Sequence, residues 1–181
     1  MKRIALLVVA ISCLVWWPAY GIELEKGSLK GLEGVDVIVE NLQDGGEAIG
    51  VSAASIEGDV ERQLRLAGIR ILTKRERLDS DRKPYLYINC NILYFESIGL
   101  VTFSIDVEAH QIAELRTGED AQVLTWAKSY LGSQHKDRAG KKLREVVESF
   151  VDEFVADFLD VNRADTPPGA RKSSTRSIRQ E

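Results

Sequence analysis

The chain has 181 residues, with 24 Lys and Arg against 28 Asp and Glu. The charge is unevenly divided: residues 22–162 hold 17 basic and 26 acidic side chains, whereas residues 163–181 hold five and two. A body this acidic excludes nucleic acid as the main partner, because a phosphate backbone demands a basic surface.

Lys2 and Arg3 precede an uncharged run from Ile4 to Trp17, and Pro18 interrupts it before Ala19-Tyr20-Gly21. These are the three zones of a secretory signal peptide, residues 1–21, with small residues where the peptidase reads. The apolar run falls short of the ~20 residues a spanning helix requires. An uncleaved anchor is the alternative. Cys13, after Ala10-Ile11-Ser12, raises lipidation as another, although Leu14 to Trp17 stays apolar where a lipoprotein turns polar. The expected location is periplasmic or secreted, with no stable membrane span after cleavage. Cys90 is then the one cysteine left in the mature chain, so no intramolecular disulfide forms even in an oxidising compartment.

Residues 22–34 are charged and glycine-punctuated and read as a lead-in to a single domain at 35–162. Val35, Val37 and Val39 alternate with polar residues and predict a strand. Asn41 to Gly50 reads as a loop. Ser52 or Ser55 caps a helix in which Ile56, Val60, Leu64 and Ala67 recur, and Gly68 ends it. Ile69 to Thr73 predicts a short second strand, and Lys74 to Pro84 a charged connection. Tyr85 to Phe95 alternates strongly. A turn near Ser97 to Gly99 leads to a second alternating run through Val101, Phe103, Ile105, Val107 and Ala109. Another turn at Thr117 to Asp120 leads to a last strand over Val123 to Leu131.

Leu143, Val147, Phe150, Phe154, Phe158 and Val161 form the stripe of a long amphipathic helix. Its other side carries Glu145, Glu148, Asp152, Glu153, Asp157 and Asp160, which anionic lipid would repel, so the stripe is a core face. Residues 163–181 are rich in Pro, Ser and Arg and are expected to be a disordered basic tail. The expected fold is α+β, a two-layer sandwich of order β-α-β-β-β-β-α with two helices on one face of a mixed five-stranded sheet.

Val60 to Leu72, reading VERQLRLAGIRIL, followed by Arg75-Glu76-Arg77-Leu78, resembles a pattern in the N-terminal domain of TolB and in CsgG-like envelope assembly proteins. The mature chain also resembles a group of bacterial exported proteins in which a Thr-Trp pair corresponds to Thr125-Trp126. The resemblance spans most of residues 35–162. It implies an envelope protein that binds or assembles with other components, and it transfers no catalytic residue.

The chemical candidates are sparse. Asp106, Glu108 and His110 share one face of a strand and could approach a divalent metal, but same-face neighbours sit ~7 Å apart, a spacing suited to a solvated polar face. Ser133-Gln134-His135-Lys136 matches S-x-x-K without the partner motifs of acyl-transfer enzymes. Gly27, Gly31 and Gly34 precede a strand, whereas a dinucleotide fingerprint follows one. No cofactor is expected.

A binding face is the stronger candidate. With Leu86, Ile88, Cys90 and Ile92 turned to the helices, Tyr85, Tyr87, Asn89 and Asn91 face away, as do Thr102 and Ser104 in the next strand. Tyrosines, amides and hydroxyls are the chemistry of adaptable protein contacts. Trp126, assigned with Leu124 and Tyr130 to one side of the last strand, is core by default and a partner anchor in the alternative. The expected function is a non-enzymatic module that binds another envelope protein. A small-ligand carrier is the alternative, and a hydrolase using Asp106, Glu108 and His110 ranks last.

Overall fold

The computed structural model describes residues 26–163; the expected signal peptide and the tail beyond Arg163 lie outside the described residues. In chain order the elements are β1 (Asp36–Val39), α1 (Gln43–Ala48), α2 (Ala53–Leu66), α3 (Lys74–Asp79), β2 (Tyr85–Phe95), β3 (Leu100–Glu114), β4 (Asp120–His135) and α4 (Lys136–Asn162). A 3-10 turn at Glu96–Ile98 joins β2 to β3. The fold is α+β, with one mixed sheet in the order β1-β2-β3-β4. β1 runs parallel to β2, and the other two pairings are antiparallel.

Among the described residues the sheet thus has four strands rather than five. Ile69 to Thr73 contributes a single parallel bridge, Ile71 to Val35. The apolar isoleucines favour extended backbone, but Thr73 already caps α3. Its hydroxyl accepts from the Glu76 backbone N–H, and the Glu76 carboxylate accepts from the Thr73 N–H at 2.8 Å. That reciprocal capping box pulls the chain out of the sheet after one rung. The helix inventory is larger than expected for a related reason. α3 occupies the charged connection, and α1 occupies the expected loop at 41–50. Gly45 allows α1 to lie against β2: a Cβ there would fall 2.7 Å from Ile92 Cβ, well inside contact distance.

α2 and α4 pack against each other and on the same face of the sheet. Ser52 caps α2 as expected, and Ile56, Val60 and Leu64 form its buried stripe. α4 buries Leu143, Val147, Val151, Phe154 and Phe158. Opposite them lie Leu86, Ile88 and Cys90 of β2 and Val101, Phe103, Ile105, Val107 and Ala109 of β3, all buried. Each large side chain so buried stabilises the fold by about 1.5–3 kcal/mol before entropy is counted. The described part of the expected lead-in belongs to this core, because Leu29 and Leu32 are buried in it. Asn162 ends α4 and ties it back to that segment, donating to the Leu29 carbonyl at 2.9 Å and accepting from the Gly31 N–H at 2.7 Å.

Candidate functional site

Among the described residues the two long helices leave the opposite face of the sheet open. Strand alternation and register place Tyr85, Tyr87, Asn89 and Asn91 of β2 there, beside His110, Glu108, Asp106 and Ser104 of β3 in that order. Thr102 continues the row opposite Leu93. Six of the seven candidate binding residues therefore share one surface. None of these six is buried.

The polar groups of this face are tied to one another. Tyr85 stacks on His110, with ring centroids 4.9 Å apart and planes 7° from parallel, while Tyr87 meets the same imidazole edge-on at 6.1 Å. Tyr85 Oη accepts from Gln122 at 2.5 Å, and the Arg77 guanidinium lies 5.1 Å above its ring. Arg77 also pairs with Asp36 at 2.9 Å. Burial raises the Asp36 carboxyl above its ordinary range, an effect the adjacent guanidinium partly offsets. Tyr87 donates its phenol proton to Glu40. That hydrogen bond, with burial and the negative charge behind it, pushes the Tyr87 phenol up to about 12. Asn91 reaches toward Ser104 at 3.4 Å, and Thr102 and Ser133 hydroxyls lie 2.9 Å apart. Side chains held this way lose little rotamer freedom on binding.

The candidate metal trio divides its partners. His110 Nε2 lies 2.8 Å from Glu108, but Asp106 accepts from Ser129 Oγ at 2.7 Å on the neighbouring strand. Among the described residues no group of three His, Cys, Asp or Glu side chains converges to hold an ion. The S-x-x-K residues also part company: Ser133 faces Thr102, and the Lys136 ammonium lies 5.5 Å above the Tyr94 ring. Cys90 is buried, and burial pushes its thiol up to about 12, the chemistry of a packing residue.

Trp126 does not belong to the open face. It is 1% exposed and packs edge-to-face on Phe154 at 5.3 Å, its indole N–H donating to Asp157 at 3.0 Å. Leu124, expected beside it, lies on the open side instead. Ala109 pairs with Trp126, but His110 pairs with Leu124, so Thr125 is an extra residue. This β-bulge reverses the in-out parity of β4, which no count along the sequence can anticipate. Side chains satisfy the polar groups it frees. Thr125 Oγ1 donates to the Ala109 carbonyl at 3.2 Å and accepts from Gln111 at 2.8 Å, while the Thr125 carbonyl accepts from Ser28 Oγ at 3.1 Å. Gln111 is the buried polar residue that the sequence reading missed; it falls on the apolar parity of β3.

The open surface also carries apolar side chains, Leu124 among them because of the bulge. Leu93, Phe95 and Ile98 at the β2–β3 end and Leu124 and Leu131 of β4 are all exposed, Leu131 by 74%. A concavity of about 260 Å³ is lined by Asn89, Asn91, Leu93, Thr102, Ser104 and Leu131, together with Glu40 and Asn41 from the end of β1. A second groove, about 280 Å³, lies between α2 and α4 and is lined by Ile56, Val60, Leu66, Arg144 and Val147 among others. No helix among the described residues is long and apolar enough to cross a membrane. No family model and no curated protein matches the chain.

Proposed function

We propose that this domain is an exported, non-enzymatic interaction module of the cell envelope that holds another envelope protein on its open sheet face. The observation that carries this reading is one uncovered surface on which fixed tyrosines, amides and hydroxyls adjoin exposed leucines and a phenylalanine. A polar, hydrogen-bonding region beside apolar anchors is the composition of protein interfaces. The tyrosines offer large contact area at low entropic cost because Glu40, Gln122 and His110 already hold them. The charged signal-peptide pattern at the start supports export, and the likeness of Val60–Leu78 to TolB and CsgG-like domains supports the envelope.

A photo-crosslinking side chain at Asn91 tests the reading in the native host, with the same group at Glu148 on α4 as the control. The expected result is a discrete protein adduct from Asn91 alone, lost when Tyr85 and Tyr87 are both replaced by Ala in a chain that keeps its circular dichroism. Capture unchanged by Y85A/Y87A would refute this face as the binding surface.

A further inference from the structure

We propose that two copies of this chain pair through their β4 edges, antiparallel about a two-fold axis at Leu131, to form one continuous eight-stranded sheet. β4 closes the sheet order, so among the described residues no strand pairs with its outer edge. It is 16 residues long. Natural edge strands are guarded by charge, proline, bulges or brevity, because their free N–H and C=O groups otherwise recruit another strand, and the one bulge of β4 protects only the stretch up to Thr125. Between Ala121 and Gln134 this edge has no proline, and Lys128 is the one charged residue. Lys128 does not guard the edge: its ammonium lies 2.8 Å from Glu153 of α4 and 5.8 Å from the Trp126 ring.

The occupant is a second copy because the regular part of the edge is self-complementary. Beyond the Thr125 bulge, Trp126 to His135 pairs with β3 without a register shift, and Leu131 lies near the middle of that stretch. A two-fold axis there sets Leu131 against Leu131 of the second copy, on the same face, and covers the most exposed large apolar side chain of the strand. Ser129 then meets Ser133 of the second copy, both exposed hydroxyls. On the other face Tyr130 lies over Gly132 of its own strand, where a Cβ would fall 2.4 Å from the phenol oxygen, so the ring stays within its own copy and leaves the seam clear. Charge permits the arrangement: each body is strongly acidic, yet no acidic side chain lies between Ala121 and Gln134 to repel its twin across the seam. The seam is short beside the roughly 20–30 residues per side of a standard interface, so a weak, micromolar association is expected.

Sedimentation velocity of the purified protein from about 1 to about 500 µM covers that range. The expected result is a concentration-dependent shift to twice the monomer mass, with the Leu131→Lys midpoint at least about tenfold higher and its circular dichroism unchanged. If Leu131→Lys fails to fold, Leu131→Cys decides: mild oxidation should yield a disulfide dimer, whereas Leu66→Cys, equally exposed on α2, should not. A monomer at every concentration overturns the proposal, as does a dimer that Leu131→Lys leaves intact or equal crosslinking from Leu66→Cys. Leu131 also borders the open face, but the test of the proposed function reads Y85A/Y87A, outside this seam, so the two failures are read separately.

Discussion

Trp126 distinguishes a packing role from a binding role most sharply. Its indole is buried between β4 and α4, against Phe154, with its N–H on Asp157. Replacement by Ala removes a fully buried aromatic side chain and leaves a cavity, which costs about 3–5 kcal/mol. Asp157 is only partly buried, so water can replace the lost indole donor and adds little, about 1 kcal/mol at most. A domain of this size has a total stability of about 7–20 kcal/mol, so the substitution removes a substantial fraction of it. The corresponding fall in melting temperature is about 10–20 °C. Urea unfolding followed by far-UV circular dichroism, with Trp126→Phe beside Trp126→Ala, measures the effect. Trp126→Phe should retain most of the stability, because an aromatic ring still fills the site. Partner capture by folded Trp126→Ala below its melting point should be unchanged. Wild-type stability with lost capture would show that the indole contacts a partner and that its buried placement is wrong.

Two further perturbations probe the open face and the helix layer. The Tyr87 phenol, pushed up to about 12 by its bond to Glu40, stabilises the fold below the ordinary phenol range near 10, and that contribution is lost as pH rises through about 12. Ultraviolet titration should therefore show one tyrosine ionising late, absent in Tyr87→Phe and moved down toward 10 in Glu40→Gln; an unchanged titration in Glu40→Gln would contradict the hydrogen bond. Gly140 brings α4 against the chain before α2: a Cβ there would lie 2.3 Å from the Ile49 carbonyl oxygen. Gly140→Ala should thus cost about 1–3 kcal/mol from overpacking, although alanine is the better helix former by about 1 kcal/mol. A stabilised Gly140→Ala in urea unfolding would mean that α4 sits farther from Ile49.

Alternation made the meander and its two faces legible, since burial on β2 and β3 is continuous and period-two patterning reports it directly. Leu86, Ile88 and Cys90 lie inside, and Tyr85, Tyr87 and Asn89 lie outside, as their spacing requires. The 3.6-residue stripe likewise located both long helices. Short elements were opaque because their cause is local chemistry or close approach rather than periodicity. α1 contains two glycines and owes its place to a fit against Ile92, whereas α3 has no buried residue and stands on the Thr73–Glu76 capping box. The fifth strand was lost to that same cap.

The bulge at Thr125 explains why the composition of the candidate surface was only half visible. Strict alternation along β4 assigns Leu124 and Trp126 to the same side, and with them the question of whether this strand offers a partner anything apolar. One extra residue separates them. Trp126 goes to the core with Phe154, and Leu124 goes out beside His110. The polar face read from β2 and β3 thereby gains Leu124 at one end of an apolar margin on β4, whose other end, Leu131, faces out by plain alternation from Trp126. Thr125 Oγ1 bridges the two strands through the Ala109 carbonyl and the Gln111 amide, which fixes the parity change in place. The same bulge limits the regular edge of β4 to the stretch centred near Leu131. The outward placement of Leu124 and the limit of the regular edge on which the proposed two-fold axis lies therefore have a common cause, the bulge held by one threonine.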